Sequence, residues 1–201
     1  MTRPTRWFTD TDEGHSQWYI ERFRAMAAQG ADLAGEARLI DAMVPRGARL
    51  LDAGCGPGRI GAELHERGHE VVGVDVDPAL IEAAGQDHPG PTWLVGDLAE
   101  LDLPARGITE PFDAAVMAGN VLWFVAPGTE ADVLASVARH VKPDGAFVVG
   151  FGLGRTITTE EFEQHVASAG LREENRFATW DLHGWSPQAD YVVSVLRHGR
   201  V

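Results

Sequence analysis

The chain has 201 residues, of which 44% are hydrophobic and 23% are charged, and this is the composition of an ordinary globular protein. Its single cysteine, Cys55, excludes a disulfide framework or a multi-cysteine metal cluster and indicates a reducing compartment, so we expect a cytoplasmic protein. The net charge of −13 argues against a nucleic-acid partner and against an anionic membrane surface, since both would repel an acidic protein. No apolar run suggests a signal peptide or reaches the ~18 residues of a membrane helix.

Apolar spacing over residues 15–43 predicts a helix interrupted at Gly30. We expect residues 1–44 to form a helical cap that belongs to the same domain as residues 45–201. Beyond this cap, apolar runs and helical periodicities alternate along the chain. Strands are predicted at 48–54, 70–75, 92–97, 112–119 and 146–151, and helices at 60–67, 78–86, 129–141 and 158–170.

Two further strands are predicted at the end of the chain, over 172–180 and 190–198. The strand–helix alternation before them predicts an α/β fold with a doubly wound, mostly parallel sheet. Residues 181–189 are too few for a crossover connection, so the last two strands should pair antiparallel.

A glycine-rich segment, LLDAGCGPGRIG at 50–61, follows the first predicted strand. Glycines at this position allow a tight turn and let backbone amides approach a ligand at the start of the next helix. Asp52 precedes the turn, while Asp75 and Asp97 end the next two strands. Carboxyl ends of parallel strands meet at one edge of the sheet, which is where open α/β sheets bind ligands.

Two other interpretations of these residues remain open. Each aspartate is also a good helix N-cap, although three of them beside a glycine loop favour a binding site. The loop could belong to a nicotinamide-dependent oxidoreductase, whose G-x-G-x-x-G pattern would need glycine where Arg59 stands.

At these residues the sequence resembles the class I S-adenosylmethionine-dependent methyltransferases, which have a Rossmann-like fold. DAGCGPG (52–58) is similar to their first motif, GVDVDPALIEAA (73–84) to the second, GDL (96–98) to the third and FDAAVMAGNVLWF (112–124) to the fourth. The resemblance implies S-adenosylmethionine as cofactor, S-adenosylhomocysteine as product and methyl transfer as the reaction.

The resemblance also implies a place for each motif residue around the cofactor. Gly54 and Gly56, with Cys55 between them, would lie against the methionine part, Asp52 would anchor that region, and Asn120 would lie where the fourth motif meets the acceptor. A nucleophilic role for Cys55 is not favoured, because no motif supplies a histidine partner.

The nucleoside part of the cofactor would bind at the acidic ends of the second and third strands. Asp75 would accept hydrogen bonds from both ribose hydroxyls, Asp97 would bind the adenine amino group with the Leu98 amide nearby, and Val76 would pack on the adenine.

The acceptor is less well defined by the sequence. The fourth motif lacks the Asn/Asp-Pro-Pro-aromatic and Pro-Cys signatures of nucleic-acid methyltransferases, so with the acidic charge it favours a small-molecule acceptor. A non-catalytic cofactor-binding sensor is the other alternative. The candidates for acceptor contacts are Tyr19, Arg22, Trp123, Arg155 and His183.

His65-Glu66-Arg67-Gly68-His69 matches the H-E-x-x-H zinc pattern by its letters. That pattern requires both histidines on one face of a continuous helix, whereas Gly68 is expected to end the helix. No metal site is therefore predicted, and the oligomeric state is not defined by the sequence.

Overall fold

Seven strands form one mixed sheet in the computed structural model, which describes residues 3–199. The spatial order of the strands is β3-β2-β1-β4-β5-β7-β6. The strands are β1 (Arg49–Ala53), β2 (Glu70–Asp75), β3 (Thr92–Val95), β4 (Phe112–Met117), β5 (Val141–Gly152), β6 (Leu171–Phe177) and β7 (Tyr191–His198). The helices are α1 (Arg6–Thr9), α2 (His15–Ala28), α3 (Gly35–Met43), α4 (Arg59–Glu66), α5 (Pro78–Asp87), α6 (Val121–Phe124), α7 (Glu130–Ala138) and α8 (Thr159–Ser168).

The predicted fold class is confirmed by the pairing of the strands. Strands β1 to β5 pair parallel, and β7 pairs antiparallel with both β5 and β6. In the described part of the chain no helix is both long enough and apolar enough to cross a membrane. The division into a cap over 1–44 and a cofactor-binding part over 45–201 stays a prediction.

Strand β5 differs from the sequence prediction, whereas the predicted break near Gly30 is confirmed. Strand β5 begins at Val141, because the pairing with β4 shifts register between Phe112 and Ala114 and takes in the Lys142–Gly145 segment that was expected to be a turn. Such an irregularity tolerates a proline that has no N–H to donate. The predicted helix over 15–43 is interrupted between Ala28 and Gly35, with Gly30 at a φ of 73°.

The buried apolar residues form one layer on each face of the sheet and a smaller third cluster. This third cluster joins Trp7 and Ile20, from the N-terminal helices, to Leu80 and Ala83 of α5. It places residues 3–23 over the carboxyl edge of the sheet, beside the ends of β1 and β2. Sequence periodicity did not predict α1, because four residues make a single helical turn.

Candidate functional site

An open cavity lies at the carboxyl edge of the sheet, and its empty space of about 590 Å³ includes the solvent at its mouth. Its walls come from three parts of the chain: the N-terminal helices, the ends of β1, β2 and β3, and the segment after β4. The lining residues are Thr5, Trp7, Tyr19, Gly54, Gly56, Asp75, Val76, Leu80, Asp97, Leu98, Ala118, Gly119, Val121, Phe124 and Val125.

The turn after β1 can be formed only with glycine at two of its positions. Gly54 has a φ of 81°, and a Cβ there would overlap the Val121 side chain. Gly58 has a φ of 87°, and its Cβ would lie 3.0 Å from the Trp93 ring and from the Ala84 methyl. The positive φ and the close packing both require glycine, so the loop stays flat against its neighbours and leaves the cavity open above it.

Asp75 is held at the cavity wall by the backbone of two neighbouring turns. Its carboxylate accepts hydrogen bonds from the Gly56 amide at 2.9 Å and from the Asp77 amide at 3.0 Å. Burial raises the pKa of the Asp75 carboxyl to about 6, against the two amides, which lower it. A carboxylate has about four lone-pair sites, so two remain for hydroxyl donors in the cavity.

The third strand contributes a second carboxylate to the same wall. Asp97 accepts a hydrogen bond from the Ala99 amide at 2.9 Å and caps a 3₁₀ turn at Leu98–Glu100. Val76 and Leu98 line the cavity beside the two carboxylates. This part of the cavity therefore combines two anionic acceptors with apolar surface.

Six of the nine residues that the resemblance places around the cofactor line the cavity, and Asp52, Cys55 and Asn120 do not. Asp52 is 1% exposed and accepts a hydrogen bond from the Gly61 amide at 2.9 Å, so it lies behind the glycine loop. Burial raises the pKa of its carboxyl to about 7. Cys55 is buried beside Gly73, and burial raises the pKa of its thiol. Asn120 turns its side-chain oxygen to the Gly152 amide at 2.8 Å.

Of the five acceptor-side candidates, only Tyr19 is brought to the cavity. Arg22 is exposed, with its guanidinium 5.5 Å from the Trp18 ring. Trp123 donates its indole N–H to the Gly152 carbonyl at 3.0 Å, and the Arg155 guanidinium lies 5.0 Å from the Trp123 ring. His183 is exposed, 3.4 Å from Asp181.

Sequence reasoning did not predict Thr5 and Trp7, which form the part of the cavity wall that comes from before α2. Trp7 lies 5.6 Å from Tyr19 and 5.3 Å from Phe124, measured between ring centroids, so the three rings form one edge-to-face cluster. Thr5 lines the cavity beside them and is 7% exposed. No local pattern predicts Thr5 or Trp7 at this wall, since Trp7 meets Tyr19 of another helix and Phe124, which lies more than 100 positions away.

The two histidines of the H-E-x-x-H segment do not lie on one face of a helix. His65 Nδ1 lies 3.3 Å from the His69 carbonyl, whereas the His69 ring is buried and contacts Asp41 at 3.0 Å. Across residues 3–199 no group of three or more His, Cys, Asp or Glu side chains is arranged to hold a metal ion.

A family model described as a methyltransferase domain matches residues 50–145, which include the glycine loop, Asp75 and Asp97. The solved structure of a TehB-like SAM-dependent methyltransferase from Corynebacterium glutamicum is similar over nearly the whole chain. It is 45% identical with a TM-score of 0.86, and the match covers 93% of this chain and 100% of that one. The chain belongs to the class I S-adenosylmethionine-dependent methyltransferases. Its cofactor is S-adenosylmethionine, so the oxidoreductase alternative has no support.

Curated methyltransferases with different acceptors match shorter parts of the chain. Magnesium-protoporphyrin O-methyltransferase of Rhodobacter capsulatus is 34% identical over 118 residues, which are 52% of this chain and 50% of that protein. The 18S rRNA (guanine-N(7))-methyltransferase of Mus musculus is 35% identical over 86 residues, 43% of this chain and 30% of that protein. This methyltransferase thus spans half or less of these two relatives, and their acceptors do not agree.

Proposed function

We propose that the cavity binds S-adenosylmethionine and that the protein transfers its methyl group to a small-molecule acceptor. The observation that carries the proposal is the Asp75 carboxylate, fixed by the Gly56 and Asp77 amides with two lone-pair sites left over. These sites suit the two hydroxyls of a ribose. Asp97 would accept from the adenine amino group, while Val76 and Leu98 would pack on the ring.

Asp52, Cys55 and Asn120 lie outside the cavity and would hold its walls in shape. Asp52 fixes the start of α4 through the Gly61 amide, and Asn120 fixes the end of β5 through the Gly152 amide. Cys55 fills space beside Gly73. We therefore assign contact with the cofactor to Gly54, Gly56 and the four nucleoside-side residues, and a shaping role to these three.

S-adenosylmethionine, when bound, supplies a methyl group on a sulfonium that is already strongly electrophilic. The protein has to orient the acceptor for in-line displacement and to exclude water. Val121, Phe124 and Val125 give the cavity an apolar wall after β4. Such a wall favours a step in which positive charge is dispersed.

Tyr19 is a polar side chain that α2 brings to the cavity wall. A Cβ at Gly119 would lie 3.7 Å from the Tyr19 hydroxyl, so this hydroxyl is close to the fourth motif. Burial raises the pKa of the Tyr19 phenol, which keeps it protonated and able to donate at neutral pH. We assign it the role of orienting the acceptor's nucleophilic atom rather than removing its proton.

The charges of the cavity limit the class of acceptor. Within the described residues the only charged side chains of the lining are Asp75 and Asp97, both carboxylates. An anionic acceptor would find no cationic side chain in the lining, and the net charge of −13 opposes a nucleic acid. A neutral or cationic small molecule is the acceptor that fits.

The first experiment is calorimetric titration of the purified protein with S-adenosylmethionine, S-adenosylhomocysteine and NAD in parallel. We expect micromolar binding of the first two and none of NAD. An acceptor screen that follows S-adenosylhomocysteine production then tests turnover. Cofactor binding without turnover for any acceptor of the predicted class would favour the sensor alternative, and NAD binding alone would overturn the assignment of the cavity.

A further inference from the structure

Asp77 is a buried carboxylate that joins two distant parts of the molecule. It is 3% exposed and accepts hydrogen bonds from three donors. Its Oδ1 accepts from the Ala79 amide at 2.8 Å and caps α5. Its Oδ2 accepts from the Trp7 indole N–H at 2.7 Å and from the Ser16 hydroxyl.

The residue lies directly beside the predicted ribose site. The Asp77 amide donates to the Asp75 carboxylate at 3.0 Å, and Val76 between them lines the cavity. A displacement of Asp77 would therefore also move Asp75, because the Asp77 amide is hydrogen-bonded to the Asp75 carboxylate.

The donors come from the N-terminal wall of the cavity. Trp7 lines the cavity and packs edge-to-face on Tyr19 and Phe124, while Ser16 lies in the first turn of α2, the helix that carries Tyr19. The other polar ties that the structure describes from residues 3–28 to the rest of the molecule run from Arg3 to Pro127, from Arg6 to Glu130 and from Arg24 to Asp87. The first two lie on the α6–α7 side and the third joins the far end of α5, so the tie to the ribose turn is made by Asp77.

We propose that Asp77 is a positioning residue for the cofactor, because its carboxylate latches the N-terminal wall of Trp7 and Tyr19 onto the turn that binds the ribose. The proposal rests on the proposed place of the cofactor in this cavity. The latch keeps the wall against the bound cofactor and slows its dissociation. The cofactor in turn holds Asp75, and through it Asp77, in place.

A helix cap alone would not require this arrangement. Serine caps a helix about as well as aspartate, and a cap needs neither burial nor an indole partner. The substitution Asp77→Ser therefore keeps the cap on the Ala79 amide and is too short to reach Trp7. The substitution Trp7→Phe removes the indole N–H and keeps an aromatic ring. Trp18→Phe is the matched control, because Trp18 is 54% exposed on the same segment and does not line the cavity.

The test is the rate at which S-adenosylhomocysteine dissociates, measured by stopped flow on the wild type, both single variants, the double variant and the control. Loss of a charge-assisted hydrogen bond should speed dissociation about tenfold in each single variant, with little change in the association rate. The double variant should be no faster than the faster single variant, since both remove the same link. The control should match the wild type. On saturation with S-adenosylhomocysteine, hydrogen exchange at the Trp7 indole N–H should slow.

Dissociation from Trp7→Phe at the wild-type rate, with the protein folded and binding, would overturn the latch and leave Asp77 as a helix cap. Additive effects in the double variant would also contradict it. If the wild type itself bound no S-adenosylhomocysteine, the proposed function would fail before the latch was tested. The two failures are thus distinguishable.

Discussion

The two sides of the cavity are built in different ways. On the nucleoside side, Gly54, Gly56, Asp75 and Asp97 stand at the carboxyl ends of three neighbouring strands and are fixed by backbone hydrogen bonds. The rest of the wall comes from helices before β1 and from the segment after β4, and edge-to-face aromatic contacts and the Trp7–Asp77 hydrogen bond fix it.

This difference separates the part of the cavity that suits the cofactor from the part that suits the acceptor. A backbone-fixed carboxylate at a strand end suits one ligand group in a defined position, as a constant cofactor requires. A wall of packed rings can vary in shape without disturbing the sheet. We therefore expect substitutions on the nucleoside side, and of the Trp7–Asp77 link, to change cofactor affinity, and the other substitutions on the N-terminal wall to change acceptor use.

The largest effect is expected for Gly54→Ala. The new Cβ would overlap Val121, and the residue would hold a φ of 81° that alanine disfavours by about 1–2 kcal/mol. With overpacking of about 1–3 kcal/mol in addition, we expect a strong loss of both stability and cofactor binding. Urea unfolding and calorimetry measure the two losses.

Gly47→Ala is the matched control for this substitution. Gly47 has a φ of 70° and no atom within 4 Å of its would-be Cβ, so it incurs the backbone strain alone. Equal stability losses in the two variants would contradict the close contact with Val121.

Removal of the ribose carboxylate should have the next largest effect. Asp75→Ala leaves two hydroxyls without a charged partner and should weaken cofactor binding by about 1–3 kcal/mol. Asp97→Ala removes one neutral amino contact and should cost only about 1 kcal/mol. Calorimetric titration with S-adenosylhomocysteine compares them. Unchanged affinity in Asp75→Ala would refute the placement of the ribose.

The pH dependence of binding sharpens the same assignment. Burial raises the pKa of Asp75 to about 6, so this carboxyl becomes protonated in the free protein as the pH falls through 6. Ribose hydroxyls donate to the ionised form, and the affinity should therefore fall below pH 6, by up to about tenfold per pH unit. Asp75→Asn should bind more weakly, with this dependence removed. A dependence that persists in Asp75→Asn would point to another group.

The stability of the unliganded protein should show the reverse dependence at this residue. The folded pKa of Asp75 lies above the unfolded value of about 3.9, so the fold binds more protons than the unfolded chain between these values. The contribution of Asp75 to the free energy of unfolding is therefore lost as the pH rises from about 4 through 6. Urea unfolding of the wild type and Asp75→Asn at several pH values isolates it.

The smallest effect on cofactor affinity is expected on the acceptor side. Tyr19→Phe keeps the ring that packs against Trp7 and Phe23 and removes only the hydroxyl. We expect S-adenosylhomocysteine to bind within about twofold of the wild type, since the lost hydroxyl would serve the acceptor, and turnover to fall once an acceptor is known. If Tyr19→Phe lowered the cofactor affinity as much as Asp75→Ala does, the assignment of Tyr19 to the acceptor would be wrong.

The sequence predicted the sheet and the strand ends that line the cavity, because both depend on local patterns. Apolar runs identify buried strands, and glycines and aspartates at strand ends identify the turns. Asp77 is recognisable in sequence as the N-cap before Pro78, but its bond to Trp7 crosses 70 positions and has no local signature. Asp52 and Asn120 lie in the motifs, and only the fold shows their side chains turned to the Gly61 and Gly152 amides.

The most direct test of the account is a crystal structure of the protein saturated with S-adenosylhomocysteine. The account predicts both ribose hydroxyls on the Asp75 carboxylate, the adenine amino group at Asp97, and the Trp7 indole still bound to Asp77. A ribose bound away from Asp75, or a nucleoside outside the cavity between Tyr19 and Asp97, would contradict it.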